Sequence, residues 1–412
     1  MAYACRMNAR SGRFPYFDSL RAIAALSVLG THAAVYAGGS SLLPYGARLE
    51  SGVAVFFLIS GFLLYRPFAR ARLLDERAPR TVAYLWRRAL RIAPAYWVAL
   101  TLTAVVLSTP GVFGLHDGPL YYLFAQTWRE STIGGGLTQA WTLCIEVTFY
   151  LFLPVWAFAM RALPGRAFGE RLRGELIALG ALFIASLVWK IALLANADPN
   201  QIRITPALES LASFLDQFAL GMALAVMSIW AERRETLPRA LQAVQRFPIA
   251  CWLFSALAFW IAAKHIGLTG RVLEPFTPAQ YLERHLLYAA VALGLLLPAV
   301  VGGPREGVVR RVLGNPVLTW LGLISYSIYL YSAPVLQQLD RWGVAPPDWP
   351  HPLLGWALVG VAATVPVAAL SYYLVERPAL SLKRFVRDRG TIRRGEAIAE
   401  PAPATVPAPR PR

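Results

Sequence analysis

The first long apolar segment of the chain reads FDSLRAIAALSVLGTHAAVY, residues 17–36. Its length matches the roughly 20 residues that a helix needs to cross the hydrocarbon core of a bilayer. Asp18, Arg21 and His32 lie inside this segment, and the apolar core of a cleavable signal peptide avoids such residues. We therefore expect a first transmembrane helix that is retained in the mature protein.

Further apolar segments of similar length follow along the chain. Together with the first, the predicted spans are 17–36, 52–69, 92–109, 139–160, 175–194, 209–230, 248–266, 285–301, 316–337 and 353–375. Charged residues make up only 15% of the 412 residues, against about 25% in soluble domains. The predicted fold class is all-α, a polytopic membrane helix bundle of about ten spans. The stretch 119–128 could add a re-entrant or interfacial helix.

The net charge of +17 has a topological explanation. Basic residues are concentrated before the first span, in alternate connectors and after Arg377, as the positive-inside rule requires of cytoplasmic segments. This pattern favours a membrane protein with both ends in the cytoplasm, located in a bacterial inner membrane, over a nucleic-acid-binding protein. We expect a cytoplasmic N-terminus over 1–16, one membrane domain over 17–380, and a basic, proline-rich, disordered cytoplasmic tail over 381–412.

Ionisable groups inside a bilayer are costly and mark either a partner or a function. Six such residues stand out: Asp18, Arg21, His32, Glu146, Lys190 and Asp216. Arg21 and His32 are eleven positions apart, which places them within about 20° on one helix face and about 16 Å apart along it. Structural explanations remain open: Arg21 could pair with Asp18, and His32 could hydrogen-bond to a neighbouring helix.

The remaining candidates also have both a functional and a structural explanation. Glu146 could orient the imidazole of His32 or make a structural hydrogen bond between helices. Lys190 could extend towards the membrane surface, and Asp216 could line the same cavity as His32. No role is assigned to the other histidines, and the cysteines are interpreted as inert: His116, His265, His285, His351, Cys5, Cys144 and Cys251.

A cluster of arginines ends the first basic loop, in YLWRRALRIAPAYW, residues 84–97. Arg88 and Arg91 share a helix face, and guanidinium groups suit phosphate recognition. Arg87 stands beside them. Ordinary cytoplasmic charge at a helix start is the alternative interpretation.

The order of several motifs resembles the membrane-bound acyltransferase 3 family. The motifs are YFDSLRAIAALSVLGTHAAVY (16–36), GVAVFFLISGFLLYRPF (52–68), YLWRRALRIAPAYW (84–97), QAWTLCIEVTFYLFLPV (139–155), FLDQFALGMALA (214–225), LGLISYSIYLYSAPV (321–335) and SYYLVERPAL (371–380). Each motif alone is weak in an apolar chain, but together and in order they are specific.

The resemblance implies an O-acyltransferase that uses acyl-CoA as donor, with acetyl as the default group. It implies no tightly bound cofactor and no metal. The acceptor would be the hydroxyl of a surface polysaccharide, a glycolipid or a secondary-metabolite sugar. Carried over by position, His32, Arg21 and Glu146 are the expected catalytic residues. Arg87, Arg88 and Arg91 are the expected donor-binding residues.

Two departures from the family pattern matter. Many members carry a histidine where this chain has Ser332, so a second histidine is absent at this position. An appended SGNH hydrolase-like domain, found in some members, is not expected after the last span.

The resulting hypothesis has the CoA phosphates at the basic cytoplasmic mouth and the thioester near His32. His32 would act as general base, or become transiently acylated, while Glu146 would hold its tautomer. The alternative is a transporter or flippase of a lipid-linked sugar, for which inverted repeats are expected but not evident in the sequence.

Overall fold

The structure, a computed structural model, describes residues 14, 16–272, 274–302, 307–344 and 351–386. Within these residues the fold is all-helical and contains no β-strand, as predicted. The expected tail beyond Val386, most of the expected N-terminal segment 1–16, and Cys5 lie outside the described residues.

Ten helices of at least 17 residues build the described part of the bundle. They are α1 (Tyr16–Tyr36), α2 (Gly52–Leu73), α3 (Thr81–Val106), α4 (Trp141–Ala162), α5 (Phe168–Ala195), α6 (Leu215–Glu232), α7 (Pro248–Lys264), α8 (Pro278–Val301), α9 (Ser325–Arg341) and α10 (Pro352–Ser371). Shorter α-helices span Leu43–Arg48, Gly118–Tyr122, Arg239–Arg246, Val308–Leu313, Pro316–Leu323 and Arg377–Ser381, and a π-helical turn spans Tyr372–Glu376.

Seven helical stretches among the described residues are long and apolar enough to cross a membrane. They are Tyr16–Tyr36, Leu43–Leu73, Thr81–Val106, Thr138–Ala162, Phe168–Ala195, Pro278–Val301 and Pro352–Phe385. An eighth would join Arg239–Arg246 to α7 across a bend of 87°. A multi-pass membrane protein is therefore supported, while the count of ten and the orientation stay predictions.

Two predicted spans fall outside these seven or eight. Helix α6 carries Asp216 near its start. The predicted span 316–337 is divided at Ile324 into a short helix, Pro316–Leu323, and α9. The sequence pattern identified both as apolar, but it could not show where each helix would begin or break.

Two helices begin well before the apolar runs from which they were predicted. Helix α3 starts at Thr81 rather than at residue 92, and α8 starts at Pro278 rather than at residue 285. At α8, Thr277 caps the helix by accepting a hydrogen bond from the backbone N–H of Gln280. Hydropathy marks where a helix meets lipid, so it misses turns whose polar side chains are solvated by protein or water.

Close backbone contact fixes α2 against α6. A Cβ atom added to Gly61 would collide with the carbonyl of Phe218, and one added to Gly221 would collide with the carbonyl of Leu58. Small residues allow this approach, as they do at helix interfaces in membranes generally. Helix α2 is thereby held in one position, and its Val53–Leu64 segment supplies one wall of the site described next.

Candidate functional site

A cavity of about 220 Å³ lies between α1, α2, α3, α4 and α9. Its charged lining consists of Arg21, Arg88, Arg91 and Glu146, which are four of the six site residues predicted from the sequence. Most of the remaining lining is aliphatic or aromatic. The fold thus brings residues from positions 21 to 146 together around one partly open cavity whose charged lining is three arginines and one glutamate.

Arg21 reaches this cavity from α1 with a partner from its own helix. Its Nη1 lies 3.0 Å from Oδ1 of Asp18. The structural pairing considered for Arg21 is therefore present, and it coexists with a position in the cavity lining. Because i, i+3 neighbours share a helix face, Asp18 restrains the guanidinium without removing it from the cavity.

Arg88 and Arg91 enter from the same face of α3. Nη1 of Arg91 lies 3.3 Å from Oε2 of Glu376, a residue whose carboxylate is buried and also accepts a hydrogen bond from Ser327. Nε of Arg88 is buried and has no hydrogen-bond partner among the described residues. Arg87, the third predicted donor-binding arginine, does not line this cavity.

Glu146 takes its hydrogen bond from α2. The hydroxyl of Ser60 donates to Oε1 of Glu146 at 2.6 Å. Of the two roles considered for Glu146, the structural hydrogen bond between helices is present, and a contact with the imidazole of His32 is not among the hydrogen bonds of the described residues. Both residues face the bundle interior, but Ser60 projects from the helix that lies closer to Glu146.

His32 lies just beyond this cavity, against α9. Its Nδ1 is 2.9 Å from Oγ of Ser332. His32 is not a lining residue of the cavity, but Tyr329, one helical turn before Ser332, is. Ser332, singled out in the sequence as a departure from the expected motif, is therefore the residue that contacts the histidine.

A second buried polar cluster joins α5, α6 and α8. Nζ of Lys190 lies 3.3 Å from Oδ2 of Asp216, and Nε2 of His285 lies 2.6 Å from the same oxygen. Lys190 is fully buried, so the prediction that it extends towards the membrane surface is wrong. Asp216 does not line the arginine-rich cavity, and His285, to which no role was assigned, is its partner.

Sequence reasoning missed four contributors to the first site: Ser60, Tyr326, Tyr329 and Glu376. Ser60 and Glu376 stand in the SGF and VERP segments, so a signal existed for both. Tyr326 and Tyr329 are three residues apart on α9, which is the spacing of one helix face. Among the described residues, no group of three histidine, cysteine or acidic side chains could hold a metal ion.

A family model described as an acyltransferase domain matches residues 14–375. The chain belongs to the acyltransferase 3 family. That match covers every helix that lines the arginine-rich cavity. A comparison with the solved structures gives no significant match.

Curated relatives extend the family assignment along most of the chain. Nodulation protein 10 of Rhizobium leguminosarum bv. viciae is 27% identical, over 90% of this chain and 95% of the relative. Acyltransferase MdmB of Streptomyces mycarofaciens is 26% identical, over 98% of this chain and 99% of the relative. Peptidoglycan O-acetyltransferase OatA of Listeria monocytogenes is 26% identical, over 88% of this chain but 55% of its own length.

Proposed function

We propose that this member of the acyltransferase 3 family transfers an acyl group, by default acetyl, from acyl-CoA to a hydroxyl of a carbohydrate-type acceptor. The observation that carries the proposal is the convergence of Arg21, Arg88 and Arg91 with Glu146 on one cavity. A relative named as a peptidoglycan O-acetyltransferase supports the acetyl group and the carbohydrate acceptor.

The charge of the cavity suits an anionic donor. Three guanidinium groups and one carboxylate line it, and Asp18 and Glu376 pair with Arg21 and Arg91. Guanidinium groups that are already held by carboxylates can still donate charge-assisted hydrogen bonds to a phosphate. Arg88 contributes a buried Nε–H that lacks a protein partner, and a phosphate oxygen would satisfy it. A volume of about 220 Å³ is small for a complete drug-sized ligand, so the cavity would hold one part of an extended donor.

The acyl transfer itself is assigned to His32. Its neutral imidazole would take the proton of the acceptor hydroxyl while the hydroxyl oxygen attacks the thioester carbonyl. The carbon–sulfur bond then breaks, the ester forms, and the CoA thiolate takes up the proton. Because His32 contacts Ser332, which lies one turn of α9 beyond Tyr329 in the cavity wall, the thioester would sit at the Tyr329 end of the cavity.

Glu146 and the arginines have separate roles in this proposal. The arginines bind the donor, and Arg21 also holds the segment of donor that points towards His32. Glu146, fixed by Ser60, would balance the cationic cavity near the reacting group. We place the protein in a bacterial inner membrane with both ends cytoplasmic, as the distribution of basic residues indicates.

The decisive experiment uses the full chain, purified and placed in lipid nanodiscs with acetyl-CoA. Release of free thiol is measured with and without peptidoglycan fragments, exopolysaccharide oligomers or macrolide sugars. We expect acceptor-dependent thiol release, and an Arg88→Ala variant should raise KM for acetyl-CoA more than it lowers kcat. Arg311→Ala, at an exposed arginine outside the cavity, is the matched control.

The same assay separates the competing function. A transporter or flippase of a lipid-linked sugar would release no thiol from acetyl-CoA under any of these conditions. Full activity of a His32→Gln variant present at wild-type level in the membrane would end the proposed chemistry. Equal effects of Arg88→Ala and Arg311→Ala would contradict donor binding in the cavity.

A further inference from the structure

We propose that Ser332 is a positioning residue that fixes the tautomer of His32, so that Nε2 carries the reactive lone pair. This inference rests on the proposed function, because it concerns the same histidine. It adds a residue whose role neither the family motifs nor the comparisons assign.

The argument begins with the single proton of the serine hydroxyl. Oγ of Ser332 lies 3.2 Å from the backbone carbonyl of Tyr329 and 2.9 Å from Nδ1 of His32. A carbonyl oxygen only accepts hydrogen bonds, so both contacts can be hydrogen bonds at once only if the serine proton is directed to Tyr329, and this is the arrangement that we assign. Serine commonly makes this backbone bond within a helix. Oγ then offers a lone pair to His32, and Nδ1 must be the protonated nitrogen.

A neutral imidazole carries one proton. With that proton on Nδ1, the lone pair lies on Nε2, which points away from Ser332. Both chemistries considered for His32, proton abstraction and transient acylation, require this free lone pair. The opposite tautomer would present an N–H to the acceptor hydroxyl and could do neither.

Burial and two hydrogen bonds hold this geometry on the α9 side. Ser332 is fully buried. The hydroxyl of Tyr329 donates to the backbone carbonyl of Gln139, and Nε2 of Gln139 donates to the carbonyl of Leu330 at 2.7 Å. These bonds pin the turn that carries Ser332 against the start of α4. Oγ of Ser332 therefore has a defined position relative to His32, which a mobile hydroxyl group would not have.

Two variants test the role, with a third as control. Ser332→Ala removes the acceptor of the Nδ1–H bond, whereas Ser332→Thr keeps a hydroxyl at the same position. Ser255→Ala removes another buried serine hydroxyl, one that bonds to carbonyls of α7 and α8 and does not line the cavity. All are compared with wild type in nanodiscs after checks of membrane level and melting temperature.

The kinetic readout separates positioning from general damage. We expect Ser332→Ala to lower kcat about tenfold, the size of one hydrogen bond, and to leave KM for acetyl-CoA within twofold. Ser332→Thr should recover most of the lost kcat, and Ser255→Ala should resemble wild type. Unchanged kcat in Ser332→Ala, or a loss of the same size in Ser255→Ala, would overturn the proposal.

Nitrogen NMR gives a readout that does not depend on activity. The chain has five histidines, so ¹⁵N-histidine labelling with a His32→Gln difference spectrum assigns the relevant ring. We expect Nδ1 of His32 to be protonated in wild type and the Nε2–H tautomer to appear in Ser332→Ala. A protonated Nε2 of His32 in the wild-type protein would contradict the proposal. If acetyl-CoA releases no thiol, the proposed function fails while the NMR result still decides the tautomer.

Discussion

Glu376 holds Arg91 at the edge of the arginine-rich cavity, with Oε2 of the carboxylate 3.3 Å from Nη1 of the guanidinium. Glu376 is almost completely buried, while Arg91 is partly exposed towards the cavity. The carboxylate sits in the π-helical turn Tyr372–Glu376, and such turns often occur at functional sites. An ion pair of this kind restrains a flexible side chain so that less entropy is lost when a ligand binds.

We therefore expect Glu376→Gln to weaken donor binding. KM for acetyl-CoA should rise roughly three- to tenfold with a smaller change in kcat, because the guanidinium loses its restraint but keeps its charge. Glu76→Gln is the control, since Glu76 pairs with Arg70 on the exposed surface outside the cavity. Steady-state kinetics at fixed ionic strength measure both. A kcat effect larger than the KM effect would assign Glu376 to another role.

Removal of the Glu146 carboxylate should change the kinetics differently from removal of the Glu376 carboxylate. We expect Glu146→Gln to lower kcat on the order of tenfold or more without raising KM for acetyl-CoA, because the loss of an anion makes the cavity more attractive to phosphate. Ser60→Ala, which leaves the carboxylate but removes its 2.6 Å hydrogen bond, should have a smaller effect in the same direction. A raised KM in Glu146→Gln would argue for a direct contact between Glu146 and the donor.

The sequence predicted which residues line the cavity better than it predicted their hydrogen-bond partners. Helical periodicity alone placed Arg88 and Arg91 on one face, and the cost of burying charge identified Arg21 and Glu146 as interior residues. These arguments left a structural explanation open for each residue, and it was the family resemblance that assigned all four side chains to one site. The family motifs gave the order of the helices along the chain, but they did not show which face each helix turns towards its neighbours.

The partners could not be predicted because they depend on how helices tilt and rotate against one another. Ser60 rather than His32 bonds Glu146, and Ser332 bonds His32. The cluster of Lys190, Asp216 and His285 was missed for the same reason: His285 is the first residue of the predicted span 285–301, and nothing in that run shows that it meets Asp216 of α6. Single-helix patterns carry no information about such contacts between helices.

The buried cluster of Lys190, Asp216 and His285 should support the stability of the bundle. Asp216→Asn leaves Lys190 buried without its counter-charge, and removal of one partner of a buried ion pair commonly costs 3–5 kcal/mol. We expect a clearly lower melting temperature in nanodiscs, followed by tryptophan fluorescence. Asp340→Asn, at an exposed aspartate, should melt like wild type.

A double variant gives the converse test of this cluster. Lys190→Met combined with Asp216→Leu removes both charges and their desolvation cost, and such replacements are often neutral. It should therefore melt closer to wild type than Asp216→Asn does. Equal losses in both variants would show that packing, rather than the unpaired charge, dominates at this position.

Glu209 provides a prediction about pH. It lies in the connector between α5 and α6, its Oε2 is buried without a hydrogen-bond partner among the described residues, and burial raises the pKa of its carboxyl to about 7. The folded state therefore holds a proton that the unfolded chain releases near its ordinary pKa of 4.5. Stability should fall as pH rises from about 4.5 and should level off above pH 7.

A Glu209→Gln variant removes this pH-dependent charge. At pH 8 it should be more stable than wild type, by about 3 kcal/mol, because wild type must then bury a carboxylate. At pH 5 the wild-type carboxyl is already protonated in the fold, so the two melting temperatures should nearly coincide. Asp198→Asn, at an exposed residue of the same connector, should differ from wild type equally little at both pH values. A variant that is equally stabilised at both pH values would place the effect in packing rather than in the titration of Glu209.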